Sequence, residues 1–312
     1  MKRIFVNLKR FEVPQKLNGI CPSNNPQSWI ESVIEDTIDL KLGALDDIQV
    51  IYLLPEALLL PAINKMKRNP AESWKNLLIG CQGVFREDVT PGGNFGAFTT
   101  NLPATAAINI GCSWSIIGHS EERKDKLGII ETYAPESKKE PKARAQAAEA
   151  VNFLINQQVI CAMNAGMNVL LCVGETDDER GKGEFTEQKK RIEMALYSQL
   201  VNSLQGIKER FNESKIVIGY EPVWAIGPGK TPPGKEYIAF VSKLIKEIVQ
   251  EEIRFTPEVV YGGGLKEENA GMIGQITTID GGLVALTQFT GEIGFTPQGL
   301  KRIISKYQIT RS

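Results

Sequence analysis

The 312-residue sequence contains one histidine, His119, and only five cysteines, Cys21, Cys81, Cys112, Cys161 and Cys172. With so little imidazole and no Cys-x-x-Cys pair, no metal site of ordinary spacing is expected, and the cysteines read as reduced, structural thiols. An excess of one charge is also missing: 36 Lys and Arg against 37 Asp and Glu leave a net charge of −1. That balance gives no electrostatic reason to bind nucleic acid or an anionic membrane surface. No apolar run has the length of a membrane span, and the opening MKRIFVNLKRFEV has basic residues without the apolar core of a secretory signal. These absences predict a cytoplasmic protein with a small-molecule substrate.

What is present is alternation. Short β-branched or apolar runs predict strands at 4–7, 48–53, 77–82, 114–118, 168–173, 215–221, 259–263 and 279–285. Between them, helical patterns fall at 29–41, 55–67, 102–110, 149–165, 183–211, 234–253, 266–273 and 297–307. Eight strand-then-helix units predict an α/β (β/α)8 barrel over 1–312, a single domain with insertions near 11–27 and 124–142, both read as surface excursions. A doubly wound sheet would also alternate. It would normally bring a glycine fingerprint after the first strand, and Val6-Asn7-Leu8-Lys9-Arg10 has none.

In such a barrel the loops after the strands converge, so Asn7, Lys9, Gln82, His119, Glu175, Glu221 and Gly262 to Gly264 share one end. A lone histidine is commonly a satisfied core residue. Here it follows a buried-looking strand in Gly118-His119-Ser120-Glu121-Glu122-Arg123, where proton transfer near neutral pH becomes a reading. Glu221 ends another strand, where apolar walls favour a general base, and Pro222-Val223-Trp224 leads to a glycine-bounded tip at Gly227-Pro228-Gly229 suited to a closing lid.

Taken in order, six pieces resemble the triosephosphate isomerase family. They are Asn7-Leu8-Lys9; Gly96-Ala97-Phe98-Thr99; Trp114 through Glu121 with Arg123; Leu171-Cys172-Val173-Gly174-Glu175-Thr176; Tyr220 through Gly227 with Gly229-Lys230-Thr231; and Tyr261-Gly262-Gly263. The resemblance implies an aldose-ketose isomerase acting on a small phosphorylated sugar without a cofactor. Glu221 would be the base, His119 the electrophile, Lys9 the cation beside the forming enediolate, and Asn7 a substrate-positioning residue. That family is itself the standard example of a neutral catalytic histidine at a helix N-terminus and of lid closure. A homodimer is also implied.

Two departures stand out. The family grips phosphate with amides of the lid, here Gly227, of a Gly-Gly-Ser turn after the seventh strand, and of a Gly-Gly pair after the eighth. This chain has Gly264 for the serine and Ala285-Leu286 for the pair. Either Thr287 and Gln288 rebuild the turn, or the substrate is another ketose phosphate such as a four-carbon one, or phosphate is not bound and the barrel is a catalytically weak metabolite-binding protein. The family also pairs Arg with Glu across its dimer where this chain has Glu122 and Asn101, so altered contacts are expected.

Overall fold

The computed structural model describes residues 1–207, 215–227 and 229–309. Eight parallel strands close into a barrel in chain order: β1 (Lys2–Asn7), β2 (Ile48–Leu54), β3 (Leu77–Cys81), β4 (Trp114–Ile117), β5 (Asn168–Val173), β6 (Ile216–Tyr220), β7 (Glu258–Tyr261) and β8 (Gly281–Val284). β1 pairs with β2 and with β8, which is the closure. The fold is the expected (β/α)8 barrel, and every strand lies on a run picked out by its apolar composition.

Strand alternation sorts side chains into two layers. Phe5, Ile51, Leu53, Trp114, Ile116, Leu170, Cys172, Val217, Val260 and Leu283 fill the interior of the barrel. The alternate positions, such as Ile4, Val50, Ile79, Val169, Ile218 and Val259, face the helices in a second, larger core. Continuing the inward parity past the strand ends brings Asn7, Gln82, Glu221 and Ala285 to the carboxyl-end mouth.

The helical layer is α1 (Pro26–Asp39), α2 (Glu56–Lys67), α3 (Ala104–Ile110), α4 (Ser120–Tyr133), α5 (Pro141–Asn164), α6 (Asp177–Arg180), α7 (Phe185–Ser203), α8 (Lys235–Ile248), α9 (Glu267–Gly274) and α10 (Pro297–Ile309). The helix expected at 183–211 is α7 as far as its residues are described, and 208–211 lie outside the described residues. A π turn, Val249–Ile253, extends α8 to the expected limit. Among the described residues, no helix is long and apolar enough to cross a membrane.

The segment 124–142 lies at the surface, and it is helical rather than loop. Most of it is helix: α4 runs to Tyr133, a 3-10 turn spans Pro135–Lys138, and α5 begins at Pro141. α4 has no fully buried residue and so no apolar stripe to betray it. It is started by His119 as its N-cap and braced by the Glu122–Lys126 ion pair at 2.7 Å one turn apart. The segment 11–27 is largely loop, with a 3-10 turn at Gln15–Leu17, a bridge between Pro14 and Cys21, and the first turn of α1.

Candidate active site

Glu221 directly follows β6 and is buried, with 2% of its surface exposed. Its Oε1 lies 3.1 Å from His119 Nε2, and its Oε2 accepts the Ser120 N–H at 2.9 Å, the first amide of α4. His119 Nδ1 accepts the Glu121 N–H at 3.2 Å. A ring nitrogen that accepts carries no proton, so this geometry places the imidazole's single N–H on Nε2, facing Glu221. Burial pushes the Glu221 carboxyl above the usual carboxylate range, although His119, the Ser120 amide, Arg123 and Lys9 all pull the other way.

The approach of β5 to β6 fixes where this carboxylate stands. A Cβ on Gly174 would fall 1.6 Å from the Glu221 carbonyl oxygen, so only glycine permits the contact. Gln199 holds the same residue from behind, accepting from Gly174 N and donating to its carbonyl, both at 3.0 Å. Arg123 fastens β4 to β5: its Nε donates to Gly118 O at 2.8 Å, its Nη2 to Cys172 O at 3.0 Å and its Nη1 to Asn152 Oδ1 at 2.7 Å.

Lys9 has φ 41, a left-handed conformation that a side-chain-bearing residue holds only when its surroundings enforce it. Asn7 Oδ1 accepts the Lys9 N–H at 3.0 Å, and Gln82 Nε2 donates to Lys9 O at 2.8 Å and reaches Asn7 Oδ1 at 3.1 Å. The Lys9 ammonium pairs with Glu121 at 2.7 Å, on the same first turn of α4 that His119 caps. Asn7, Lys9, His119 and Glu221 are therefore one constellation at the mouth of the barrel.

A second buried carboxylate, Glu175, is bonded to Trp224 in the segment after β6. Its Oε1 accepts from Tyr237 OH at 2.7 Å, Trp224 Nε1 at 2.8 Å and Tyr220 OH at 3.0 Å. Burial raises this carboxyl, and the three donors offset part of the rise. Trp224 is also covered by the Arg180 guanidinium, 3.8 Å from its ring centroid, and meets Tyr237 edge-on at 5.4 Å. Glu175 and Trp224 are visible in the sequence motifs. Tyr237, Arg180, Gln199 and Asn152 sit on helices, where nothing in the sequence marks them.

The positions expected to grip phosphate lie after β6, β7 and β8. Gly227 has φ 122 and its carbonyl accepts Lys230 N at 3.3 Å, while Pro228 lies outside the described residues. Gly264 has φ 87, a conformation suited to glycine. Leu265 N donates to Leu283 O at 2.9 Å, which ties this turn to the end of β8 beside Ala285 and Leu286. Neither Ala285 nor Leu286 has a positive φ, so their side chains cause no backbone strain. The Thr287 hydroxyl is occupied by Thr296, whose N–H it accepts at 2.8 Å.

A closed barrel with a carboxylate, an imidazole and an ammonium converging at its carboxyl end has the architecture of a proton-transfer enzyme. Comparison with known proteins identifies the kind. The family model for triosephosphate isomerase matches residues 36–292. A triosephosphate isomerase of Geobacter metallireducens is 34% identical over 212 residues, covering 67% of this chain and 70% of its own. One of Prosthecochloris aestuarii is 29% identical over 270 residues, covering 85% and 92%. The crystal structure of triosephosphate isomerase from Bartonella henselae superposes with a TM-score of 0.65 at 21% identity, covering 98% of this chain and 99% of that one, and shares the fold. The chain belongs to the triosephosphate isomerase family, and it is an aldose-ketose isomerase by that membership.

Proposed function

We propose that the chain interconverts glyceraldehyde 3-phosphate and dihydroxyacetone phosphate through a cis-enediolate. Glu221 takes a proton from the carbon next to the carbonyl, and the C–H electron pair becomes the C=C bond while negative charge moves to the carbonyl oxygen. His119 Nε2–H donates to that oxygen, and the Lys9 ammonium lies near the charge. The neighbouring hydroxyl then gives up its proton and becomes the new carbonyl while the first oxygen gains one, a transfer relayed by His119 Nε2. Return of the proton from Glu221 to the neighbouring carbon completes the exchange. The observation that carries this reading is the 3.1 Å contact of His119 Nε2 with Glu221 Oε1, which sets a base and an N–H donor side by side at the barrel mouth, where a substrate that parts them meets both. Asn7 holds Lys9 in its strained conformation and faces the substrate. The amides at Gly227, Gly264, Ala285 and Leu286 contact the phosphate, and the lid excludes water from the enediolate.

The rearranged loop after β8 supports a second reading, in which a four-carbon ketose phosphate is preferred. A coupled assay with triose and tetrulose phosphates separates the two. Glu221→Asp and His119→Gln should each lose about 10²–10⁴-fold in kcat. Turnover of neither sugar above the background of the double variant would refute both readings.

The chain is further proposed to be a cytoplasmic homodimer. Phe95, at φ 54, holds its ring 84% exposed beside Gly96-Ala97-Phe98-Thr99, as a side chain that enters a partner would. The contacts differ from the family's: Glu122 is committed within its own chain, to Gly118 N at 2.6 Å and to Lys126.

A further inference from the structure

The loop after β8 contains no helical turn before α10 begins at Pro297. Instead, the chain doubles back as a short hairpin. Gln288 bridges Gly294 in antiparallel fashion, Thr287 N donates to Gly294 O at 3.0 Å, and Gly291 turns the tip at φ 71. Barrels of this kind commonly grip phosphate with the loops after strands seven and eight and the N-terminus of a short extra helix. This loop brings no helix N-terminus, and Gly264 brings no hydroxyl. A dianion placed there would lack two of its expected partners.

Lys266 stands at that place. Its Cε lies 3.8 Å from where a Cβ on Gly264 would project, so the stem folds back across the space that the missing side chain leaves. Its ammonium sits 4.2 Å from the ring centroid of Phe289, on the hairpin. The backbone beneath it is fixed: Asn269 Oδ1 accepts from Lys266 N at 2.8 Å, and Asn269 Nδ2 donates to Gly264 O at 3.0 Å. Among the described residues, no carboxylate forms an ion pair with it. The Leu265 N to Leu283 O bond holds the two loops together, and the ammonium lies between the Gly264 turn and the Phe289 hairpin. An ammonium on an aromatic face keeps N–H donors free for a second acceptor.

We propose that Lys266, held by Phe289, binds the phosphate of the substrate in place of the missing helix N-terminus and hydroxyl. The inference rests on the sugar-phosphate reading above and adds a cationic residue to its phosphate site. Lys266→Met keeps the stem and removes the charge, Lys266→Arg keeps the charge, and Phe289→Ala removes the rest. In steady-state kinetics on glyceraldehyde 3-phosphate, Lys266→Met should raise KM about tenfold, the fold-change matching about 1.4 kcal/mol for one charge-assisted hydrogen bond. The loss should fall on KM rather than kcat. It should be much smaller for unphosphorylated glyceraldehyde, be largely rescued by Lys266→Arg, and be shared in part by Phe289→Ala. Competitive inhibition by inorganic phosphate should weaken in parallel. Wild-type KM and wild-type phosphate inhibition in Lys266→Met would overturn the assignment while leaving the isomerase reading intact. Should the wild type turn over no triose phosphate, that reading fails instead. Calorimetric binding of inorganic phosphate to the wild type and Lys266→Met then decides Lys266 alone, with equal affinity or no binding overturning it.

Discussion

Replacing Tyr237 by Phe isolates one bond in the buried cluster around Glu175. The hydroxyl donates to Glu175 Oε1 at 2.7 Å, and the ring itself stays in place, stacked on Phe185 with centroids 5.1 Å apart. One hydrogen bond to a charged partner contributes roughly 1.5–3 kcal/mol, so the substitution should lower Tm by roughly 3–10 °C in a chain of this size. The pH dependence is more diagnostic. Glu175 titrates above its unfolded value because burial disfavours its charge. The folded state therefore binds more protons between the two values, and stability falls as pH rises through that window. Tyr237→Phe removes support for the charged form and raises the folded value further. The gap between variant and wild type should thus be full on the alkaline side of the raised value and narrow as pH falls through it toward the ordinary carboxylate range. Thermal unfolding followed by circular dichroism at several pH values measures both effects. Equal Tm values at the alkaline end, or a gap independent of pH, would refute the claim that the cluster stabilises a buried carboxylate.

Three further substitutions test the site. Glu221→Gln removes a carboxyl held above its ordinary range by burial, so the variant should be more stable than wild type at neutral pH and lose that advantage as pH falls through the raised value. It should also lose about 10²–10⁴-fold in kcat, and a less stable variant at neutral pH would contradict the direction of the shift. Gly174→Ala forces a Cβ into the Glu221 carbonyl and displaces the carboxylate, which should cost about 10²-fold in kcat/KM, read by the coupled assay beside a check of fold by circular dichroism. Phe95→Ser should weaken self-association in sedimentation velocity runs across a concentration series, and a wild type that sediments as a monomer throughout would remove the basis for the dimer.

The barrel was legible because its strands are buried on both sides and so read as unbroken apolar runs, whether a residue such as Val217 faces inward or one such as Ile218 faces the helices. Asn7, Lys9, His119 and Glu221 were legible for a related reason. Each closes or follows such a run, and polar residues at strand ends have one destination in a barrel. α4 was not legible, because it buries no residue fully and is held by its cap and local ion pairs rather than by an apolar face. Lys124 to Tyr133 therefore carried charge without periodicity, which reads as loop.

The same distinction explains the phosphate end. The amides there are backbone groups that any residue supplies, so Gly264, Ala285 and Leu286 could be read only as departures from a family pattern. Whether those departures matter depends on what fills the space, and that is set by contacts between residues far apart in the chain. The Gly264 turn leaves room that the Lys266 stem occupies, while Phe289, on a hairpin closed by Gln288 and Gly294, supplies the face on which the ammonium rests. A turn without a hydroxyl and a cation two residues later act together in how an anion would be held. They become visible as such only when the loops after β7 and β8 are seen side by side. A neutral grip by amides alone is weakly dependent on salt, whereas a grip that includes Lys266 ties KM to ionic strength. The wild-type KM for glyceraldehyde 3-phosphate should rise with added sodium chloride more steeply than that of Lys266→Met, and parallel slopes would place the ammonium outside the reach of the phosphate.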